Sequence, residues 1–220
     1  MPPSMSNPYQ AILLAAGSSR RFGDNKLLAR LDNNLSLLEN SCIQIQKASL
    51  TPLVVIRDAN SPEAQLLTKI GIQFIENPDA DTGLSSSIRI AIESTAPQGT
   101  AGWLIFLADM PCIRHQTIRQ VHDTAQRKDK IIYPTFNGQQ GHPVAFPTRF
   151  RTQLLNLSGD RGARSILKSH QGDCLAIETN DPGILLDLDK IDDLAAINAQ
   201  MQACQQDGSV PAACKPSDNG

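Results

Sequence analysis

The chain reads as an α/β protein with a three-layer, predominantly parallel, Rossmann-like sheet and helices on both faces. Two observations predict this. Strand-length apolar runs alternate with stretches that carry apolar residues at helical spacing from Ala11 to Tyr133, the pattern of βαβ units whose crossover helices cover a parallel sheet. Size is the second: 220 residues with 40% hydrophobic content supply one full core and favour one domain over two.

Taken in order, the first strand is Ala11 to Leu14, followed by a loop of small and cationic residues and a helix over Leu35 to Ala48 capped by Asn34. Leu53 to Ile56 is the second strand, and Ser61 caps a helix over Pro62 to Ile70. A third strand over Ile72 to Ile75 leads to a helix over Leu84 to Ser94. The fourth, Trp103 to Leu107, leads to a helix over Gln116 to Arg127, and Lys130 to Tyr133 is the fifth. The rest is less regular. It predicts a strand at Pro143 to Phe146, helices near Thr148 to Asn156 and Ala163 to His170, strands at Cys174 to Ile177 and Ile184 to Leu186, and a last helix from Ile191. Residues 1–8 and 205–220 lack periodicity and read as disordered tails, which leaves a single domain over 9–204.

Composition excludes several classes of function. With 20 Lys and Arg against 22 Asp and Glu, the net charge of -2 offers no basic field for a polyanion, and 4% aromatic residues offer few stacking platforms. Nucleic acid is therefore not an expected partner. Cys42, Cys112, Cys174, Cys204 and Cys214 form no CxxC pair and no Cys/His spacing of the zinc type. Their odd number and the lack of a signal peptide fit a reducing cytoplasm, and no apolar run reaches the length of a membrane span.

In open α/β sheets ligands sit beyond the carboxyl ends of the strands, so the loops after the first, third and fourth strands are the places to look. After Leu14 come Ala15, Ala16 and Gly17, whose small side chains let backbone amides approach an anion. Arg20 can then clamp phosphate oxygens, and Lys26 adds a mobile point charge. Composition alone reads this equally as a Gly-rich surface loop with solvated cations, and the spacing is neither a P-loop nor GxGxxG. After the third strand, the three hydroxyls of Ser85 to Ser87 and several backbone N–H groups at a helix start suit hydrogen bonding to a base edge or an anion, or ordinary helix capping. After the fourth, Asp109 ends a central strand, where a divalent cation such as Mg2+ would neutralise it; a turn residue or helix cap is the alternative. Asp187 and Asp189 fall on one face of the strand predicted around Ile184 to Leu186, as paired carboxylates or as caps of the following helix.

Six motifs in order, spread over roughly residues 10 to 200, resemble one family. LAAGSSRRFGDNK, from Leu14 to Lys26, is similar to the LAAGxSxRMGxxK signature of the MobA-like nucleotidyltransferases, and within them of the molybdenum cofactor cytidylyltransferases; Phe22 stands where the family has Met. The resemblance implies the nucleotidyltransferase fold and a triphosphate held by Leu14, Ala15, Ala16, Gly17, Arg20 and Lys26. Ala16 points to CTP, because LAAG goes with cytidine and LAGG with the guanylyltransferases, a side chain here narrowing the pocket beside the base. The segment from Asn77 to Ser87 resembles a family loop that contacts the nucleotide, which carries over to Asn77, Gly83 and Ser85.

ADMP at Ala108 to Pro111 and DLDKIDDL at Asp187 to Leu194 resemble the family's metal motifs, the second departing from DIDTPEDL at Lys190 and Ile191. The resemblance implies Asp109 and Asp189 as Mg2+ ligands supported by Asp187, with Arg20, Lys26 and Asp109 as the catalytic set. GHPV at Gly141 to Val144 and GDRGAR at Gly159 to Arg164 resemble acceptor motifs. His142, Asp160, Gly162 and Arg164 are therefore expected to bind molybdopterin, the acceptor half spanning about 113–204 and the nucleotide half about 9–112. The implied activity transfers CMP from CTP to Mo-molybdopterin and releases pyrophosphate, with a recipient molybdoenzyme as a further partner. GTP or a sugar phosphate acceptor, or a non-catalytic carrier of the finished cofactor, are the alternatives.

Overall fold

The computed structural model describes residues 8–17, 25–95, 99–159, 162–188 and 193–206. Its strands are β1 (Tyr9–Leu14), β2 (Pro52–Ile56), β3 (Phe74–Glu76), β4 (Gly102–Leu107), β5 (Ile131–Phe136), β6 (Gln139–Gln140), β7 (Val144–Pro147) and β8 (Cys174–Glu178). Its helices are α1 (Leu37–Lys47), α2 (Pro62–Lys69), α3 (Leu84–Ser94), α4 (His115–Arg127), α5 (Arg151–Leu155), α6 (Arg164–Ser169) and α7 (Asp193–Gln206). The strands form one sheet in the order β3-β2-β1-β4-β7-β5-β6, with β8 also paired to β5. Neighbours β1 with β2, β2 with β3, β1 with β4 and β5 with β8 are parallel. Among the described residues no helix is long and apolar enough to cross a membrane.

Both faces of the sheet are covered, and the period of two along each strand divides the core. Ala11 and Leu13 of β1, with Leu104 and Phe106 of β4, pack with Leu38, Ile45, Leu67 and Val121 from α1, α2 and α4. Ile12, Leu14, Trp103 and Ile105 face the opposite side and pack with Ile88, Ile92, Leu154 and Ile166 from α3, α5 and α6. The three predicted layers are thus present.

One strand reverses the parallel pattern. Asn137 and Gly138 take φ values of 50° and 74°, the left-handed pair that closes a two-residue hairpin, and the chain returns through β6 into β7, antiparallel to both β4 and β5. So short a turn permits only antiparallel neighbours.

Local hydrogen bonding moved several predicted boundaries. Asn34 does not cap α1: it sits at φ 63° in the turn before it, and Ser36 caps instead, with Glu39 completing a capping box. Ile72 lies in the turn that closes α2, its N–H donating to the Leu67 carbonyl, and β3 begins at Phe74. Ile184 to Leu186 is not a strand: Ile184 and Leu185 end a 3-10 turn, Pro182–Leu185, and Leu186 caps it, because Pro182 fixes the first φ and the Asp181 carboxylate accepts from the Gly183 N–H. The alternation argument for Asp187 therefore lapses.

Candidate active site

Strand order reverses between β1 and β4, since β1 leads to β2 and β3 on one side and to β4 on the other. A crevice opens there at the carboxyl ends. Parallel register carries each chain one residue beyond its strand: Ala15 N donates to the Val55 carbonyl at 2.8 Å, and Ala108 N to the Leu14 carbonyl at 3.0 Å. Leu14, Ala15 and Ala16 are buried in the two cores, Ala16 at 2% exposure. Gly17 is exposed, and a Cβ built on it would meet no atom within 4 Å. A ligand here therefore meets backbone and the open flank of Gly17. Arg20 lies outside the described residues.

Lys26 begins the 3-10 turn Lys26–Leu28, and Asp109 follows β4. Their Nζ and Oδ2 atoms stand 3.0 Å apart, with side chains 12% and 29% exposed. The other carboxylate oxygen, Oδ1 of Asp109, is buried without a hydrogen-bond partner among the described residues. A buried oxygen of this kind requires an explanation, and a hard cation supplies one. Leu188 N donates to the Asp109 carbonyl at 2.9 Å, which docks the segment carrying exposed Asp187 against it. Asp189 lies outside the described residues. Among the described residues no three His, Cys, Asp or Glu side chains converge on a metal position. Mg2+ commonly takes one or two carboxylates, with water and substrate phosphates completing its shell, so the donor set around Asp109 suits it.

Asn77 is buried and fully engaged: Nδ2 donates to the Ser86 and Ser87 hydroxyls, each at 2.9 Å, and Oδ1 accepts from Asp79 N at 3.1 Å. It shapes the loop rather than facing the crevice. Gly83 caps α3 at φ 106°, a backbone that favours glycine. Ser85 differs from its neighbours, for its buried Oγ has no partner among the described residues while its N–H donates to the Gly159 carbonyl at 3.2 Å. Sequence reasoning missed Arg57, which bridges the two loops by donating to the Ala16 carbonyl at 3.3 Å and to Asp81 Oδ1 at 2.6 Å. It directly follows β2, so the strand-end rule applied there would have found it.

On the α3 side of the sheet a cavity of about 1360 Å³ is lined by His142, Gly162, Arg164 and Asp187, four residues expected at the acceptor or metal site, and by Leu14. Leu107 and Met110, which flank Asp109, also line it. Tyr133, Gln140 and Lys168 line it too and carried no sequence signal. Asp160 lies outside the described residues. Gly162 turns at φ 52° so close to α3 that a Cβ would lie 2.9 Å from Leu84. Burial holds the His142 imidazole below its ordinary value of 6.5 and Arg164 adds to this, against opposing pulls from the Ile105 backbone and the Asp109 charge. The ring is therefore neutral at neutral pH. Backbone amides, the Lys26 cation beside the Asp109 carboxylate, a neutral imidazole and the Arg164 guanidinium make a site suited to neutralising and aligning phosphates.

A family model described as the MobA-like NTP transferase domain matches residues 11–174. The chain is 29% identical over 199 residues to the purine catabolism protein PucB of Bacillus subtilis (strain 168), covering 84% of this chain and 94% of that one. It is 27% identical over 182 residues to the molybdenum cofactor cytidylyltransferase of Escherichia coli (strain K12), covering 83% and 91%. Among solved structures, Rv0371c of Mycobacterium tuberculosis H37Rv in complex with manganese matches with a TM-score of 0.70 at 22% identity over 87% of this chain and 98% of that one, a likeness of fold.

Proposed function

The chain belongs to the MobA-like NTP transferase family, and we propose that it is a cytidylyltransferase of molybdenum cofactor synthesis, moving CMP from CTP to Mo-molybdopterin. The observation that carries this reading is the meeting of the two halves. Asp109, with Lys26 at 3.0 Å, stands between two residues of the cavity that His142, Gly162, Arg164 and Asp187 line. Similarity to the Escherichia coli cytidylyltransferase supports the choice of nucleotide and acceptor.

An oxygen of the acceptor's terminal phosphate attacks the α-phosphorus of CTP in line. The new P–O bond forms as the bond from that phosphorus to the bridging oxygen breaks, and pyrophosphate leaves with the bridging oxygen. The attacking oxygen is already anionic, so no side chain need remove a proton. The amides around Gly17, with Arg20 and Lys26, balance the triphosphate charge, while Gly83 and Ser85 meet the nucleoside and Asn77 holds their loop. Ala16 biases that loop toward cytidine through its packing. His142, Asp160, Gly162 and Arg164 receive the acceptor, Arg164 pairing with its phosphate.

Asp109, with Asp187 and Asp189, would hold the cation; the bare Oδ1 of Asp109 and the manganese complex of the mycobacterial protein support a divalent ion. When bound, Mg2+ supplies charge neutralisation on the phosphate oxygens. The similarity to the Bacillus protein, whose name specifies purine catabolism and no acceptor, motivates a second reading, in which the chemistry is kept and another phosphorylated acceptor is used.

Pyrophosphate release measured with each of four nucleoside triphosphates, with and without molybdopterin, tests the proposal. Release is expected with CTP and molybdopterin together. Release with GTP, or with a sugar phosphate in place of molybdopterin, would reassign the substrate. No release under any combination would make the protein a carrier that hands the finished cofactor to a molybdoenzyme.

A further inference from the structure

Asp181 is only 1% exposed, an unusual position for a carboxylate. Its Oδ2 accepts from the Arg114 backbone N–H at 2.9 Å and the Thr117 hydroxyl at 2.7 Å, its Oδ1 from Gly183 N–H at 3.0 Å, and Arg114 Nε stands 3.8 Å away. A buried carboxylate is tolerated when its lone pairs are met in this way. The consequence is mechanical: the first turn of α4 is tied to the start of an eight-residue strap, residues 181–188.

Backbone bonds from that strap reach the site. The Ile184 carbonyl accepts from His142 N at 3.2 Å, and Leu188 N donates to the Asp109 carbonyl at 2.9 Å. Close packing allows it little play. A Cβ on Gly141 would lie 2.5 Å from the Ile184 carbonyl oxygen, and one on Gly183 would collide with the Cys112 carbonyl. Leu188 is fully buried against Leu31, Leu37, Cys112 and Ile197. Asp187 sits between the two bonds, on the cavity wall.

We infer that Asp181 is a positioning residue for the cation: it anchors the strap that sets Asp187 relative to Asp109 and holds the His142 backbone. The inference rests on the reading of Asp109 and Asp187 as cation ligands. An amide cannot replace the carboxylate. Whichever way an Asn side chain turned, its NH2 would face either Gly183 N–H or the Arg114 and Thr117 donors, and one end of the anchor would fail.

The test is Mn2+ binding in the presence of CTP, read as the loss of the free-ion EPR signal, for wild type, Asp181→Asn and Thr117→Val. Thr95→Val serves as control, since it breaks the Trp103 Nε1 to Thr95 Oγ1 bond of 2.8 Å, far from the strap. Asp181→Asn is expected to raise the apparent Kd for Mn2+ about tenfold, the lower range for outer partners of a metal site. Thr117→Val, which leaves two donors in place, should give a smaller rise in the same direction, and Thr95→Val none. Wild-type affinity in folded Asp181→Asn, or in Thr117→Val should the Asn variant not fold, overturns the inference. An equal rise in Thr95→Val overturns it as well. If wild type itself takes up no Mn2+ with CTP, it is the cation reading beneath the inference that fails.

Discussion

Gly17→Ala separates a ligand contact from a folding requirement. The backbone at Gly17 is not left-handed, and a Cβ there meets nothing within 4 Å, so the methyl group fits the unliganded protein. Replacing Gly at a compatible position restricts the unfolded chain and stabilises by about 0.4–1 kcal/mol, which for a chain of this length shifts Tm by about 1–4 °C upward. If the triphosphate lies against this backbone, the same methyl pushes it away from the loop amides. Losing one hydrogen bond to a charged group costs about 1.5–3 kcal/mol, or about 10- to 100-fold in affinity. Calorimetric titration with CTP should thus show a Kd raised by that factor in a protein whose thermal melt without ligand is unchanged or slightly higher. Undiminished CTP affinity in the folded variant would refute the argument that the loop amides grip phosphate. Gly141→Ala makes the contrast, because its Cβ would lie 2.5 Å from the Ile184 carbonyl and the melt itself should fall.

Three further outcomes are expected. Asp109→Asn removes the negative charge beside Lys26, and turnover at saturating Mg2+ should fall by ~10²-fold or more; a wild-type rate would remove Asp109 from the cation site. Ser85→Ala deletes a buried hydroxyl with no partner among the described residues, so urea midpoints should hold while the KM for CTP rises about 2- to 10-fold; a change in stability without one in KM would mean that the hydroxyl serves only the fold. His142 has a folded-state pKa below 6.5, so as pH falls past that value the unfolded chain binds a proton that the folded chain resists, and stability declines with acid. Urea denaturation in steps from pH 7 to about pH 5 should show a shallower decline for His142→Gln, with His115, also depressed chiefly by burial, contributing equally in both proteins. Identical slopes would show that the ring is not held neutral.

Much of the fold was legible because local chemistry and tertiary demand agreed. The runs Ala11 to Leu14 and Trp103 to Leu107 are apolar on both faces, which suits strands covered by helices on both sides, and they pair at the centre of the sheet. Asp109 was legible for a related reason, as a charge at the end of such a run. Where prediction failed, a short-range hydrogen bond outweighed the apolar pattern. Ile184 to Leu186 looks like a strand, yet Asp181 and Pro182 turn it into a 3-10 segment.

Roles were harder to read than elements. Asn77 resembles a nucleotide contact, but its amide is consumed by Ser86 and Ser87, nine and ten residues away. Arg57 was visible only as a strand-end residue and Asp181 carried no signal, because their partners are remote: Ala16 is 41 residues from Arg57, and Thr117 is 64 from Asp181. The sequence by itself determined the parallel core, the small-residue loop after the first strand and the carboxylate after the fourth, since periodicity and residue type are local properties. Only tertiary structure decided that Lys26 meets Asp109, that the 181–188 strap joins Asp109 to His142, and that Arg164 and Asp187 share one cavity. Those contacts depend on strand order and on the path of the returning chain, which no local pattern encodes.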